Sequence, residues 1–110
     1  MQTAANAIEK NQDRKRYVVF LNAEYFLKPN KKSGECVVVN INPGGACIMS
    51  PPQTVFTKGE ALSLEIKTRG LEKVIASGNI VWFKKIETAT IAGVKFSTPL
   101  DMYSFKKMFW

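Results

Sequence analysis

The chain has 110 residues, 45% hydrophobic and 23% charged, and its 16 lysines and arginines against 9 acids give a formal charge of +7. This length suits one domain with a modest core, and the charge favours an anionic partner such as a nucleotide, a nucleic acid or an acidic surface. No apolar run approaches the roughly 20 residues of a membrane span, and Met1 to Ala5 lacks the basic start and long apolar core of a signal peptide. A soluble, cytoplasmic protein without membrane insertion is expected. With no histidine in the chain and only Cys36 and Cys47 as thiols, neither a C-x-x-C redox pair nor a zinc cluster can be built. Both cysteines are expected to be buried free thiols, because a free cysteine packs as a small hydrophobe.

Met1 to Gln12 is polar with scattered alanines, too short and too weakly amphipathic for a helix that stands alone in water. Asp13-Arg14-Lys15-Arg16 then forms the only tight basic cluster, directly before a strand-like segment. Residues 1–16 read as a flexible basic arm and residues 17–110 as the folded domain. From Tyr17 to Leu27, Leu21, Ala23 and Tyr25 share one parity and Asn22 and Glu24 the other, a first strand. Lys28 to Gly34 breaks it with proline, asparagine and glycine, and its lysines suit an exposed loop.

Val37-Val38-Val39 is β-branched and stiff, and it runs into Asn40, Asn42, Pro43, Gly44 and Gly45, a dense group of turn formers. Two readings of this elbow stand side by side. In one it is a hairpin corner whose asparagines satisfy their own backbone; in the other it is a binding elbow, with asparagine amides at the end of a rigid strand and glycines that admit a ligand close to the backbone. Ala46 to Met49 forms the next short strand, stopped by Pro51 and Pro52.

Leu62, Leu64 and Ile66 alternate with Ser63, Glu65 and Lys67, a half-buried antiparallel strand. Val74 to Ile86 supplies a longer one, in which Gly78, Ile80 and Trp82 share parity, with Val81 and Phe83 opposite. Thr88 to Phe96 gives a sixth, with Ala92, Val94 and Phe96 on one face and Gly93 and Lys95 on the other. Thr98 as cap, Pro99 at the first helical position and Asp101 in the first turn announce a short C-terminal helix with Met102, Phe105, Met108 and Phe109 on one stripe. The expected fold is all-β: a small six-stranded antiparallel barrel, with the helix sealing one end.

Catalysis has no visible assembly: there is no histidine, no serine in a nucleophile elbow, and the carboxylates are scattered. Gly44-Gly45 is not followed by the G-K-[ST] of a phosphate loop, and no G-x-G-x-x-G opens a helix. The chain reads as a binding module with no cofactor and no metal, not an enzyme.

From about Asp13 to Trp110 the sequence resembles the PilZ domains of bacteria, small β-barrels that bind the second messenger cyclic di-GMP. Asn40-Ile41-Asn42-Pro43-Gly44-Gly45 looks like the family's [Asp/Asn]-x-Ser-x-x-Gly motif, with Asn42 in place of serine. Gly78-Asn79-Ile80-Val81-Trp82 and Ala92-Gly93-Val94-Lys95-Phe96 look like its two signature strands. The resemblance implies that arm arginines clamp the ligand, which places Arg14, Lys15 and Arg16 in the site with Asn40, Asn42, Gly45 and Trp82. It also implies an arm that closes on the nucleotide and a signalling output in motility, pilus or exopolysaccharide control, through a downstream partner that the sequence does not name. One departure bears on this. The family's Arg-x-x-x-Arg motif matches at Arg14 or Lys15, but its second arginine falls on Val18 or Val19, so Arg16 is left to substitute. A domain that has lost the nucleotide and serves as a protein-interaction adaptor is the alternative. A second alternative, a basic barrel that stacks single-stranded nucleic acid on aromatic side chains, is set aside because Trp82, Phe83 and Phe96 read as buried.

Overall fold

A computed structural model describes residues 15–70 and 72–109. Six strands, β1 (Tyr17–Leu27), β2 (Ser33–Asn42), β3 (Gly45–Ser50), β4 (Ala61–Lys67), β5 (Lys73–Lys85) and β6 (Thr90–Phe96), are followed by one helix, α1 (Met102–Lys107). They close into an antiparallel barrel in the order β1-β2-β3-β6-β5-β4. Closure is a consequence of the alternation in the sequence. Val19, Leu21, Ala23, Tyr25 and Leu27 of β1, Leu62, Leu64 and Ile66 of β4, and Ala92, Val94 and Phe96 of β6 all point inward and are buried. Burying a leucine or isoleucine completely is worth about 1.5–3 kcal/mol, and several such side chains here are wholly sealed.

The pairing register shifts in three strands, in β1 between Val18 and Leu21, in β2 between Val38 and Asn40, and in β5 between Ile80 and Trp82. In β2 and β5 the extra residue turns the next stretch of the strand onto the other face, whereas β1 keeps its alternation from Val18 to Leu27. Val38 and Ile80 point into the core, so plain alternation would send Asn40 and Trp82 inward after them; the bulges turn both outward instead. This corrects the expectation that Trp82 is buried: it is 44% exposed. Phe83 is also exposed, for a different reason. It pairs with the inward-facing Ala92, but β4 stops pairing with β5 at Asn79 and leaves that end of the sheet uncovered. Phe96 is buried, as its parity requires.

The helix starts later than expected. Asp101, not Thr98, is the cap: its carboxylate accepts the Ser104 N–H at 2.7 Å, and Pro99 lies outside the helix. Phe105 and Met108 seal one end of the barrel, where the Tyr17, Phe105 and Phe109 rings meet edge to face at 5.1–5.6 Å, but Met102 points into solvent. The chain on either side of Pro99 is tied to the elbow, since Phe96 N–H donates to the Gly44 carbonyl at 2.9 Å and Leu100 N–H to that of Pro43 at 2.8 Å. Cys36 is buried, whereas Cys47 is only half-buried. Most of the basic arm, with Arg14, lies outside the described residues, as does Trp110.

Candidate functional site

The bulges bring one row of residues to the outer face. Reading across strands, Val18 on β1 lies opposite Asn40 on β2, Asn40 opposite Cys47 on β3, Cys47 opposite Gly93 on β6, and Gly93 opposite Trp82 on β5. From Asn40 to Trp82 this spans three strand spacings, or about 14 Å. All three irregular strands place their break immediately beside this row, the usual position for bulges that re-aim side chains at a site.

Arg16 enters at one end. Its guanidinium donates from Nη1 to Asn40 Oδ1 at 3.1 Å, linking the end of the arm to the elbow strand across 24 residues of sequence. The same cation acts on the neighbouring thiol. Burial raises the Cys47 pKa, and the Arg16 charge pulls it partly back. Arg16 therefore sits over the β2–β3 part of the row. Among the described residues only one of its N–H groups is used there, and a guanidinium carries further donors suited to a planar anionic or carbonyl-bearing ligand. Lys15 turns elsewhere, with its ammonium 5.3 Å from the centre of the Tyr17 ring.

Trp82 holds the other end. Its indole lies across Gly93, where a side chain of any size would collide with the ring nitrogen. Gly93 thus serves as a flat seat, keeping the indole against the barrel while leaving 44% of the residue open to solvent. An aromatic ring held this way can stack a nucleobase, an interaction worth about 1–3 kcal/mol per base.

The elbow itself is built by Asn42. Its Oδ1 accepts the Gly44 N–H at 2.9 Å, and the residue is 7% exposed, so this side chain is committed to shaping the turn. Gly45 packs against β6 so closely that an added Cβ would stand 2.5 Å from the Val94 carbonyl. Both readings of the elbow therefore have a place: Asn42 and Gly45 make the corner, and Asn40 presents its amide beside Arg16. Lys95, exposed and paired with Gly45 and Asn79, adds a cation on the same face.

Of the residues singled out in the sequence, Arg16, Asn40 and Trp82 share the outer row, Asn42 and Gly45 support it, Lys15 is directed to Tyr17, and Arg14 lies outside the described residues. Val18 and Val19 are also distinguished. Val19 is in the core, whereas Val18 is 73% exposed and faces Asn40, so of the two only Val18 presents its side chain to the outer row. Sequence reasoning did not assign Cys47 or Gly93 to the site. For Gly93 the one available signal was a glycine on the outward parity of a strand whose other residues on that parity, Ile91 and Lys95, are bulky. The exposure of Trp82 and Phe83 also removes the ground on which stacking of nucleic acid was set aside.

Comparison with known proteins gives a consistent picture. The family model described as PilZ domain matches residues 10–109. Among solved structures, the inhibitor of motility (MotI/DgrA) of Bacillus subtilis superposes with a TM-score of 0.67 at 13% identity, over 84% of this chain and 46% of that one. The PilZ domain of CeSA from a cellulose-synthesizing bacterium superposes with a TM-score of 0.62 at 12% identity, over 86% of this chain and 91% of that domain. The chain thus spans less than half of the Bacillus protein, and at these identities the likeness is one of fold. No curated protein matches the sequence.

Proposed function

The chain belongs to the PilZ domain family, and from that premise we propose that it is a receptor for cyclic di-GMP, a non-enzymatic module whose liganded face is read by a signalling partner. The observation that carries this reading is the Arg16–Asn40 hydrogen bond, which places an arm guanidinium over the elbow although the motif arginine is missing. The ligand's chemistry fits the row. Its two phosphates suit Arg16, assisted by Lys95, because a charged donor to a phosphate oxygen makes a short, strong hydrogen bond. A guanine base suits the open face of Trp82, and Asn40 can both donate to and accept from a base edge. Ligand capture would order Arg16 and its neighbours against the barrel and so present a new surface. Motility and exopolysaccharide control are the proposed outputs, in line with one structural neighbour being an inhibitor of motility and the other a domain from a cellulose-synthesizing bacterium.

Fluorescence tests the reading. In a Trp110→Phe background, where Trp82 alone reports, cyclic di-GMP is expected to quench the indole saturably, and Arg16→Ala is expected to weaken the response by at least tenfold. Quenching that ignores Arg16→Ala would refute the assignment of Arg16.

A second reading rests on Val18. A valine opposite Asn40 can neither donate nor carry charge, which describes a domain that keeps the fold as an adaptor without the nucleotide. On that reading the unmodified chain stays silent and Val18→Arg creates affinity. A single-stranded oligonucleotide titrated in parallel at several salt concentrations separates messenger recognition from general anion binding, which weakens steeply with salt.

A further inference from the structure

We propose that the free edge of β5 from Val81 to Lys85 is a docking edge for an extended acidic segment of a partner protein, which adds a strand to the barrel there. The barrel is closed by pairing, but the pairing is incomplete at this end. β4 accompanies β5 from Lys73 to Asn79, and the turn before β4 continues for one more residue, with Gly59 N–H donating to the Ile80 carbonyl and Ile80 N–H to that of Glu60. Beyond Ile80, β6 alone among the described residues pairs with β5. A strand whose second edge is unpaired offers a row of backbone donors and acceptors to another chain.

The side chains on this edge are unlike those of an ordinary exposed strand. Val81, Trp82, Phe83 and Ile86 are 39%, 44%, 40% and 39% exposed. Phe83 is the informative one. It lies on the inward parity, opposite the wholly buried Ala92, and is open because no strand among the described residues flanks it. A strand laid along Val81–Lys85 would cover Phe83 as β4 covers the rest of the sheet, and its alternate residues would meet that ring.

Charge selects the occupant. Lys84 and Lys85 sit within the edge, Glu87 in the next turn is the one acid near them in sequence, and Glu60 in the flanking turn already accepts the Thr57 N–H at 3.0 Å. A second copy of this chain pairing edge to edge would bring its own lysines against these two, and like charges across a strand pair are destabilising. An acidic strand with apolar residues at alternate positions meets both features at once. Trp82 takes part in the outer row and in this edge, so a strand docked here would sit next to the proposed nucleotide site, but its capture does not depend on nucleotide binding.

The test uses the full chain labelled with nitrogen-15 and three synthetic six-residue probes: alternating Glu-Val, alternating Lys-Val, and the Glu-Val sequence with N-methylated backbone. The acidic probe is expected to shift the Val81–Lys85 amides and to slow at least tenfold the hydrogen exchange of those that point away from β6, while the basic and N-methylated probes leave them unchanged. Lys84→Glu with Lys85→Glu is expected to weaken the acidic probe at least tenfold. The proposal is overturned by unmoved amides at millimolar probe or by equal binding of the N-methylated form. It is equally overturned by protection of these amides that rises with protein concentration alone, which would make a second copy the occupant. Every arm is run without cyclic di-GMP, so failure here and failure of the nucleotide reading are told apart.

Discussion

Replacing Gly93 with alanine sets a methyl group where the Trp82 indole now lies. Besides the ring nitrogen, it would meet Cε2 at 2.5 Å and Cδ1 at 2.8 Å, well inside van der Waals contact. The ring must leave its seat. A fully buried aromatic side chain hides 150–250 Å², so a tryptophan that is 44% exposed stakes about 100 Å² on this contact. At about 25 cal/mol per Å² that amounts to about 2.5 kcal/mol, and the lower unfolded-state entropy of alanine returns about 0.4–1 kcal/mol of it. The expected net loss is about 1.5–2 kcal/mol, or a fall of roughly 6–10 °C in the melting temperature, together with a red shift of tryptophan emission. A double-mutant cycle isolates the cause. In a Trp82→Ala background the steric conflict is absent, and Gly93→Ala should then be neutral or stabilising by about 0.4–1 kcal/mol in urea denaturation. An equal loss in both backgrounds would refute the role given to Gly93 as the indole's seat.

Asn42→Ala removes the acceptor for the Gly44 N–H at a nearly buried corner and is expected to cost about 1–2 kcal/mol by denaturant midpoint, with Asn42→Asp milder because it keeps that acceptor. The two thiols should separate under alkylation. Burial pushes Cys36 up to about 12, which leaves almost no thiolate at pH 8, whereas Cys47 is half-buried beside Arg16 and should react first; saturating nucleotide should then protect it. Asp101 is held below its ordinary value of 3.8 chiefly by the Ser104 backbone N–H it accepts. A carboxyl lowered in the folded state contributes stability that is complete above the unfolded value and lost as pH falls through the folded one. Acid titration monitored at the Phe105 ring signals should therefore show α1 loosening below about pH 3.8, and Asp101→Ala should abolish that step.

The regular part of the barrel could be read from alternation alone. β4 shows why: Leu62, Leu64 and Ile66 face one way without interruption, and no bulge intervenes. β5 shows the limit, because Val81 is one valine among apolar neighbours and nothing local says that it is an extra residue. The bulge exists only in relation to β6, so the sequence sends Trp82 inward and the pairing sends it out. The exposure of Phe83 is likewise set by where β4 ends, a tertiary fact. The helix start was ambiguous for a local reason. Thr98 and Asp101 can both cap, and the carboxylate, with its stronger hydrogen bond to a backbone N–H, prevails. In the site, the elbow residues were legible as turn formers, but the meeting of Arg16 with Asn40 required the β1–β2 register, which sets Val18 opposite Asn40 and lets the guanidinium two residues earlier reach across.

The most direct test is a calorimetric titration of cyclic di-GMP into the full chain, with the linear guanine dinucleotide as control and the run repeated with Arg14 and Arg16 changed to alanine. A saturable heat that is specific for the cyclic ligand and absent in the double variant is the expected result, and it would establish a receptor that works with valine in its arm motif. No heat at high ligand concentration from the unmodified chain, with heat appearing on Val18→Arg, would contradict it and identify a PilZ domain that has given up the nucleotide.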